Sequence, residues 1–593
     1  MIGTDFLHPA VWFIAMAAIL PLLPGDRWRR LLPVPAVLAI LSVLSVKSGT
    51  YGEIHYLGQT LTLGRVDTLA TVFAHVFAIQ ALIGFIYSMH LTDKAQHVAA
   101  SLYVAGGFGC VFAGDYLTLF MFWELMSVAS TFLIWLNRRK DSTAAGFRYF
   151  MFHTLGGLFL LGGMLIRYKV VGTFAFTPTG PDMARWYDYL ILLGFCVNAA
   201  LVPLHAWLPD AYPRATITGA VFMSAFTTKT AVYVLARGFS GFEVLAVGGT
   251  IMAVYGVCYA CIENNARRIL SYHIVSQVGY MVAGIGIATP LTMNGACAHA
   301  YAHIIYKGLL FMTTGAVLYA AGTARLNELG GLVRRLPWVF VLYMVAAVSI
   351  SGMPLFSGFV SKTMVIAGAA EAHRTWLALG LELASVGTFL SVGLKLPYFA
   401  FYAKPDDMTR SLTPVPGNMY VAMGIGAFLC FFIGVYPQFL YAMLPFEAHY
   451  VPYTAWHVLQ ISILLGFTGY GFYLMVQRLK PEPGFNMDFE FFYIMFGRLF
   501  LRLCRYPFAL VDTWWSAVYR TGGLRGLLAW AKGSSVFDRV VIDGVVDGTA
   551  GRVRSLGHAA AGTQTGRLQT YITGAVLLFL AATGLVATLM LLN

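Results

Sequence analysis

Apolar runs near twenty residues long recur along the chain, separated by short polar loops. Each is long enough to cross a hydrocarbon core of roughly 30 Å at about 1.5 Å per residue. Backbone polar groups at that depth must be satisfied internally, so the pattern predicts an all-α polytopic membrane protein. The predicted helices cover residues 6–24, 31–47, 69–91, 97–113, 116–136, 146–167, 186–208, 216–238, 242–262, 269–288, 294–321, 337–366, 377–402, 417–436, 455–477 and 570–592, about sixteen transmembrane helices in all. The first run has no preceding basic region and no small-residue cleavage site, and reads as a retained helix rather than a signal peptide.

Two of these helices are interrupted. The seventh holds Pro203 and Pro209 in VPLHAWLP, and the twelfth holds Gly352, Pro354 and Gly358 in SGMPLFSGFVSK. Proline removes a backbone donor and clashes with the preceding turn. If helices four to eight and nine to thirteen form two five-helix units, both interruptions fall on the fourth member. Interrupted helices at matching positions predict inverted repeats with a site at the breaks, two unrelated kinks being the alternative. The chain then divides into N-terminal helices (1–95), a first half-channel (96–240), a second (241–403), C-terminal helices (404–477), an interfacial segment (478–569) and a final helix (570–593).

The interfacial segment is too polar to span a bilayer. Phe485, Phe489, Phe492, Phe496, Phe500, Leu503, Trp514 and Trp515 recur there among Arg498, Arg502, Arg505 and Arg525. That interleaving predicts amphipathic helices lying in the membrane interface, against lipid or neighbouring subunits.

Composition adds sign and side. Of 593 residues, 59% are hydrophobic and 11% charged, with a net charge of +13. The basic residues cluster in alternate loops: Arg27, Arg29 and Arg30; Arg138, Arg139 and Lys140; Arg267 and Arg268; Arg334 and Arg335; then the stretch from 478 to 567. This is the positive-inside pattern of an inner-membrane protein rather than a nucleic-acid footprint. It places the interfacial segment on the cytoplasmic side and both termini outside. Cys258 and Cys261 form a C-x-x-C within an apolar run, without a second pair, and read as buried packing rather than a redox or metal site. No metal site and no nucleotide, flavin or iron–sulfur motif is expected on this chain. Any redox cofactor would sit in partner subunits.

Against this background, charged and titratable residues inside the apolar runs carry the chemistry. Each isolated charge at mid-bilayer costs about 2.5–3.5 kcal/mol on insertion scales, so such groups face one another, water or a transported ion. Glu124 lies in FMFWELMSVAS and Lys229 in SAFTTKTAVYVLAR. A fixed salt bridge between them competes with a titrating pair. His299, His303 and Lys307 recur at intervals of four, on one helical face, and can pass protons where water bridges them. Lys362 follows the twelfth-helix break directly.

These stretches carry a resemblance. FMFWELMS around Glu124, ALVPLHAWLPDA at 200–211, LSYHIVSQVGYM at 270–281, HAYAHIIYKGLLF at 299–311, LGGLVRRLP at 329–337 and GMPLFSGFVSK at 352–362 together resemble the antiporter-like subunits shared by Mrp-type multisubunit sodium/proton antiporters, respiratory complex I and membrane-bound hydrogenases. TTKTAVY around Lys229 looks like the Mrp D subunit, while FDRVVIDGVVDG in the tail resembles the distal complex I subunit with its lateral helix. The resemblance implies a relay of Glu124, Lys229, His299, His303, Lys307 and Lys362, and other membrane subunits as partners. Two departures stand out. The family's helix-seven lysine falls at Asn198, which cannot exchange a proton, and its D-x-K-R segment reads Asn265, Ala266, Arg267, Arg268, with a permanently charged arginine in place of lysine. The first half is therefore rewired through Lys229, within reach of Glu124, or does not pump. The function expected is proton translocation, or sodium/proton exchange, within a multisubunit complex. A non-pumping scaffold and an energising subunit of a redox or substrate-importing complex are the alternatives.

Overall fold

The computed structural model describes residues 7–56, 58–403, 411–482 and 486–592; residues 6 and 593 and Phe485, included in the predicted segments, lie outside these. The chain forms two units, Met1–Phe491 and Phe492–Asn593.

The first unit is a helical bundle. It begins with α1 (Pro9–Ile19) and α2 (Val34–Ser45), then an antiparallel hairpin of β1 (Gly49–Tyr56) and β2 (Gln59–Val66). Long helices follow: α3 (Thr68–Ser88), α4 (Lys94–Phe112), α5 (Tyr116–Trp135) and α6 (Lys140–Val171). The seventh predicted helix is split into α7 (Trp186–Asn198) and α8 (Trp207–Ala211), and the eighth into α9 (Ile217–Met223) and α10 (Thr227–Gly238). Then come α11 (Glu243–Ile262), α12 (Ala266–Ile287) and α13 (Pro290–Ala321). The twelfth is split into α14 (Pro337–Ser351) and α15 (Ser357–Glu371). The unit closes with α16 (Thr375–Thr388), extended by wider turns to Tyr402, then α17 (Gly417–Val435), α18 (Gln438–Tyr441) and α19 (Ala455–Met475). Twelve helices among the described residues, the final one included, are long and apolar enough to cross a membrane.

Local chemistry sets the boundaries. Asp67 and Asp115 accept from Ala70 N and Thr118 N at the starts of α3 and α5. Asp115 also takes the Thr62 amide at 2.7 Å, which pins the hairpin to the bundle. Gly172 and Gly322 end α6 and α13 in the left-handed conformation, at φ 81° and 75°. Helices α11 and α12 touch backbone to backbone, because a Cβ on Gly249, Gly256, Gly279 or Gly286 would fall within 2.6 Å of the other helix's main chain.

Three features differ from the sequence expectation. The hairpin interrupts an otherwise helical chain; its period-two pattern, GTYGEIHY and QTLTLGRV, fits between two apolar runs. The helix carrying Lys229 is broken at 224–226 without proline or glycine. Cys258 is exposed and Cys261 only partly buried, because they lie toward the outer face of α11.

The second unit is a run of helical turns, mostly α with wider π turns at Cys504–Phe508, Tyr519–Leu524 and Asp538–Ile542, reaching Gly562. A final apolar helix, α24, spans Leu568–Leu591; α20 to α23 before it are Phe489–Leu503, Ala509–Val518, Arg525–Phe537 and Asp543–Gly562.

The segment leading into that unit is tied to the bundle through Asp488, which is 3% exposed. Its carboxylate accepts from Tyr272 Oη at 2.6 Å and from Tyr255 Oη, and lies 3.4 Å from His205 Nε2 in the loop between α7 and α8. Tyr259 Oη donates to Met487 O at 2.8 Å, and Arg268 reaches Glu490 at 3.1 Å. Burial opposes ionisation of Asp488, but His205 and the two tyrosine hydroxyls outweigh it and hold the carboxyl well below the usual range. A depressed carboxyl stabilises the fold above its unfolded-state value, and that contribution is lost as pH falls through the folded-state value. Hydrogen exchange of the 486–491 amides is therefore expected to stay slow down to about pH 4 and to rise only in stronger acid. Asp488→Asn should speed it roughly 30-fold at neutral pH, the loss of about 2 kcal/mol of charge-assisted bonding, and abolish the acid step. Unchanged protection in that variant would show that the carboxylate does not hold the segment.

Candidate ion-translocation path

Each helix break leaves carbonyls without intrahelical donors. At the end of α9 one of them, Ser224 O, accepts from Lys229 Nζ at 2.7 Å, and Thr228 Oγ1 is a second partner at 3.1 Å. At the end of α14, Ile350 O accepts from Lys362 Nζ at 2.9 Å. In both places a buried ammonium sits just past the break and folds back to cap the preceding half-helix, where the helix dipole favours a cation. Lys395 does the same at the end of α11, bonding Cys261 O at 2.7 Å and Glu263 O at 2.9 Å. The α7–α8 and α14–α15 loops hold non-glycine residues at positive φ, Ala200 at 59° and Leu355 at 76°, a strain found at functional sites.

Between the two capping lysines runs α13. His299, His303 and Lys307 are all fully buried on its face. Lys229 lies within electrostatic reach of Lys307, His303 and His299, and Lys362 of His299 and His303. His299 Nδ1 meets Ser361 Oγ at 3.1 Å, one residue before Lys362, and Tyr306 Oη meets His299 Nε2 at 3.4 Å. Lys307 Nζ and both His303 nitrogens make no hydrogen bond to the described residues. Beyond Lys362, its ammonium stands 5.1 Å from the Tyr280 ring, and Tyr280 neighbours Glu382, whose carboxylate accepts from Gln460. Five of the six predicted relay residues thus lie along one buried line.

Glu124 stands apart from it. Among the described residues, no ion pair joins it to Lys229. Its Oε1 occupies the space where a Cβ on Gly157 would fall, 2.1 Å away, so it points at α6. Asn198, the last residue of α7, is buried, with the His153 imidazole of α6 as its hydrogen-bonding neighbour. The other two departures have structural roles. Asn265 caps α12, accepting from Arg267 N at 3.0 Å and Arg268 N at 3.2 Å. Arg267 spreads its guanidinium over three carbonyls, Tyr212, Ala215 and Thr216, each at 3.2 Å. Pro203 lies in the α7–α8 loop, Pro209 in the first turn of α8, and Pro354 in the α14–α15 loop. Gly358 lets α15 cross Ser349 O, which a Cβ would meet at 1.7 Å.

Sequence reasoning missed His153 of α6, Gln80 of α3, Lys395 and Glu382. Gln80 packs on Gly308, beside Lys307, with both amide atoms unpartnered. The signal available for each was a lone polar residue within an apolar run.

Residues 113–391, the segment holding both lysine-capped breaks and the α13 stripe, match the family model described as NADH:quinone oxidoreductase/Mrp antiporter, transmembrane. An uncharacterized protein of Mycobacterium tuberculosis is 32% identical over 407 residues, covering 63% of this chain and 63% of its own length. The match thus spans less than two thirds of that relative. The D subunit of the Na(+)/H(+) antiporter of Alkalihalophilus pseudofirmus is 29% identical over 370 residues, 58% of this chain and 74% of that protein. A chain in the structure of the Mrp complex from Dietzia sp. DQ12-45-1b superposes with a TM-score of 0.68 at 23% identity, over 77% of this chain and 98% of that one. This is a multi-pass membrane protein with an antiporter-like fold.

Proposed function

We propose that the chain is a proton-translocating, antiporter-like subunit of a multisubunit membrane complex, with sodium as the alternative exchanged ion. The observation that carries this reading is the buried line Lys229–Lys307–His303–His299–Lys362, whose central members have no protein partner among the described residues. Structural charges in a membrane are paired with each other or with backbone carbonyls. Lys229 and Lys362 are so paired, whereas Lys307 and His303 are left for water or a moving proton. The α7–α8 break in the seventh helix and the α14–α15 break in the twelfth, each on the fourth member of its unit, support an arrangement of two inverted five-helix units, residues 96–240 and 241–403, within a bundle of about sixteen spans. The loop charges support an inner-membrane protein with the 478–569 segment on the cytoplasmic side and both termini outside. The chain carries no redox cofactor in this reading, and the driving chemistry belongs to partner subunits.

Asn198 favours a second reading, a scaffold or energising subunit whose first half does not pump. Lys307→Ala decides between them. Translocation is expected to fall on the order of a hundredfold in a tight-vesicle assay while the complex still assembles, since one stripe of α13 alone changes. Unchanged flux would reduce the stripe to a structural network. Proteins co-purifying with the chain, whether small antiporter subunits or iron–sulfur subunits, identify what drives it.

A further inference from the structure

Glu124 has no cationic partner among the described residues, yet its carboxylate lies inside the bundle and faces α6. One helical turn before Gly157, against which Oε1 rests, stands His153. Residues four apart share a face, so the imidazole and the carboxylate occupy one stripe. His153 is wholly buried, and neither ring nitrogen has a well-formed hydrogen bond. Its ring packs on Tyr149, with centroids 4.1 Å apart, and on Trp207 at 4.6 Å, just past the α7–α8 loop. The Asn198 side chain is its hydrogen-bonding neighbour, in geometry too loose to satisfy either group. Burying an imidazole and an amide that pair only loosely with each other costs free energy, and the imidazole lies one helical turn along α6 from the glycine against which the carboxylate rests.

The polar chain continues from there. Tyr149 Oη meets Ser130 Oγ at 2.9 Å and neighbours Thr227, whose hydroxyl is 2.7 Å from Tyr103 Oη. Thr227 opens α10 two residues before Lys229, at the break that Lys229 caps.

We propose that His153 is the proton carrier of the first half of the path, linking Glu124 to Lys229 through the Tyr149 and Thr227 hydroxyls. This rests on the transport reading above. The Glu124 carboxylic acid gives its proton to the imidazole, leaving carboxylate and imidazolium. The imidazolium then passes one proton to the hydroxyl chain, which releases another to the neutral Lys229 amine. No bond other than N–H and O–H changes. The nearby charges of α6 and the elements packed against it are engaged elsewhere: Arg167 of α6 with Asp188 of α7, and Arg148 of α6 and Arg214 with Asp210 of α8. Asn198 is then not a broken relay but an amide that leaves room for the histidine.

The test uses the native complex with His153→Gln, Asn198→Lys and the double variant. Gln keeps size and hydrogen bonding but cannot exchange a proton. Flux is expected to fall on the order of a hundredfold in His153→Gln. Asn198→Lys alone should lower it too, by placing a second cation against the first. The double variant should recover to within about tenfold of the parent, because a titratable amine again stands in the place next to the lost imidazole. A histidine needed only for packing would leave the double variant as inactive as the single, and that result overturns the assignment, as does unaltered flux in His153→Gln. If the parent complex carries no flux at all, the transport reading falls. The assignment is then judged by pH-difference infrared spectra, in which an imidazole band lost in His153→Gln should titrate differently in Glu124→Gln. An imidazole that does not titrate, or that ignores Glu124, refutes it.

Discussion

Lys229→Met is expected to lower proton flux on the order of a hundredfold, and Lys229→Arg to do the same while leaving the complex fully assembled. Methionine matches lysine in length and flexibility but removes the donor, so Ser224 O at the break loses its cap. Loss of flux in that variant alone therefore has two explanations, a broken relay or a relaxed break. Arginine separates them. It keeps a permanent positive charge and several donors, as Arg267 shows in the same bundle by spanning the Tyr212, Ala215 and Thr216 carbonyls. It cannot deprotonate in a protein. If the Lys229 ammonium serves only as a fixed cap, Lys229→Arg transports normally. If it alternates between amine and ammonium, Lys229→Arg assembles, melts at the parent temperature and does not conduct. Flux in reconstituted vesicles with size-exclusion profiles of the two variants gives the answer.

Much of the frame was legible because its signals are local. Pro203, Gly352 and Pro354 mark the two breaks by backbone chemistry that no partner helix can override. The stripe of His299, His303 and Lys307 follows from spacing alone. The break at 224–226 was not legible, since Ser224, Ala225 and Phe226 are tolerated in helices and the interruption depends on Lys229 folding back. Tertiary pairing was illegible for the same reason. Glu124 and Lys229 are natural partners by charge, yet the carboxylate turns to the gap left by Gly157 and the ammonium to a carbonyl. Asn265 and Arg267 read in sequence as lost proton chemistry, whereas in the fold one caps a helix and the other binds three carbonyls. His153 looks like any lone histidine in an apolar run until Asn198, Tyr149 and Trp207 are seen around it.

Gly358→Ala is expected to abolish transport or prevent accumulation of the complex, although it adds a single methyl group. The added Cβ would stand 1.7 Å from Ser349 O, which is backbone and cannot rotate away as a side chain would. The next carbonyl along, Ile350 O, is the acceptor for Lys362 Nζ at 2.9 Å. Moving the end of α14 enough to admit the methyl group displaces that acceptor, and with it the lysine at the end of the buried line. Overpacking in a tight core costs about 1–3 kcal/mol, and the cost here falls on a loop already holding Leu355 at φ 76°. Gly162→Ala on α6 is the matched control, because nothing stands within 4 Å of its Cβ. That variant is expected to assemble, melt and conduct like the parent, with a small gain in helix propensity. Gly358→Ala with parent-like flux and melting would mean that α14 and α15 slide freely past each other at the break. The Lys362 cap would then be one of several arrangements rather than the one that sets the exit of the path.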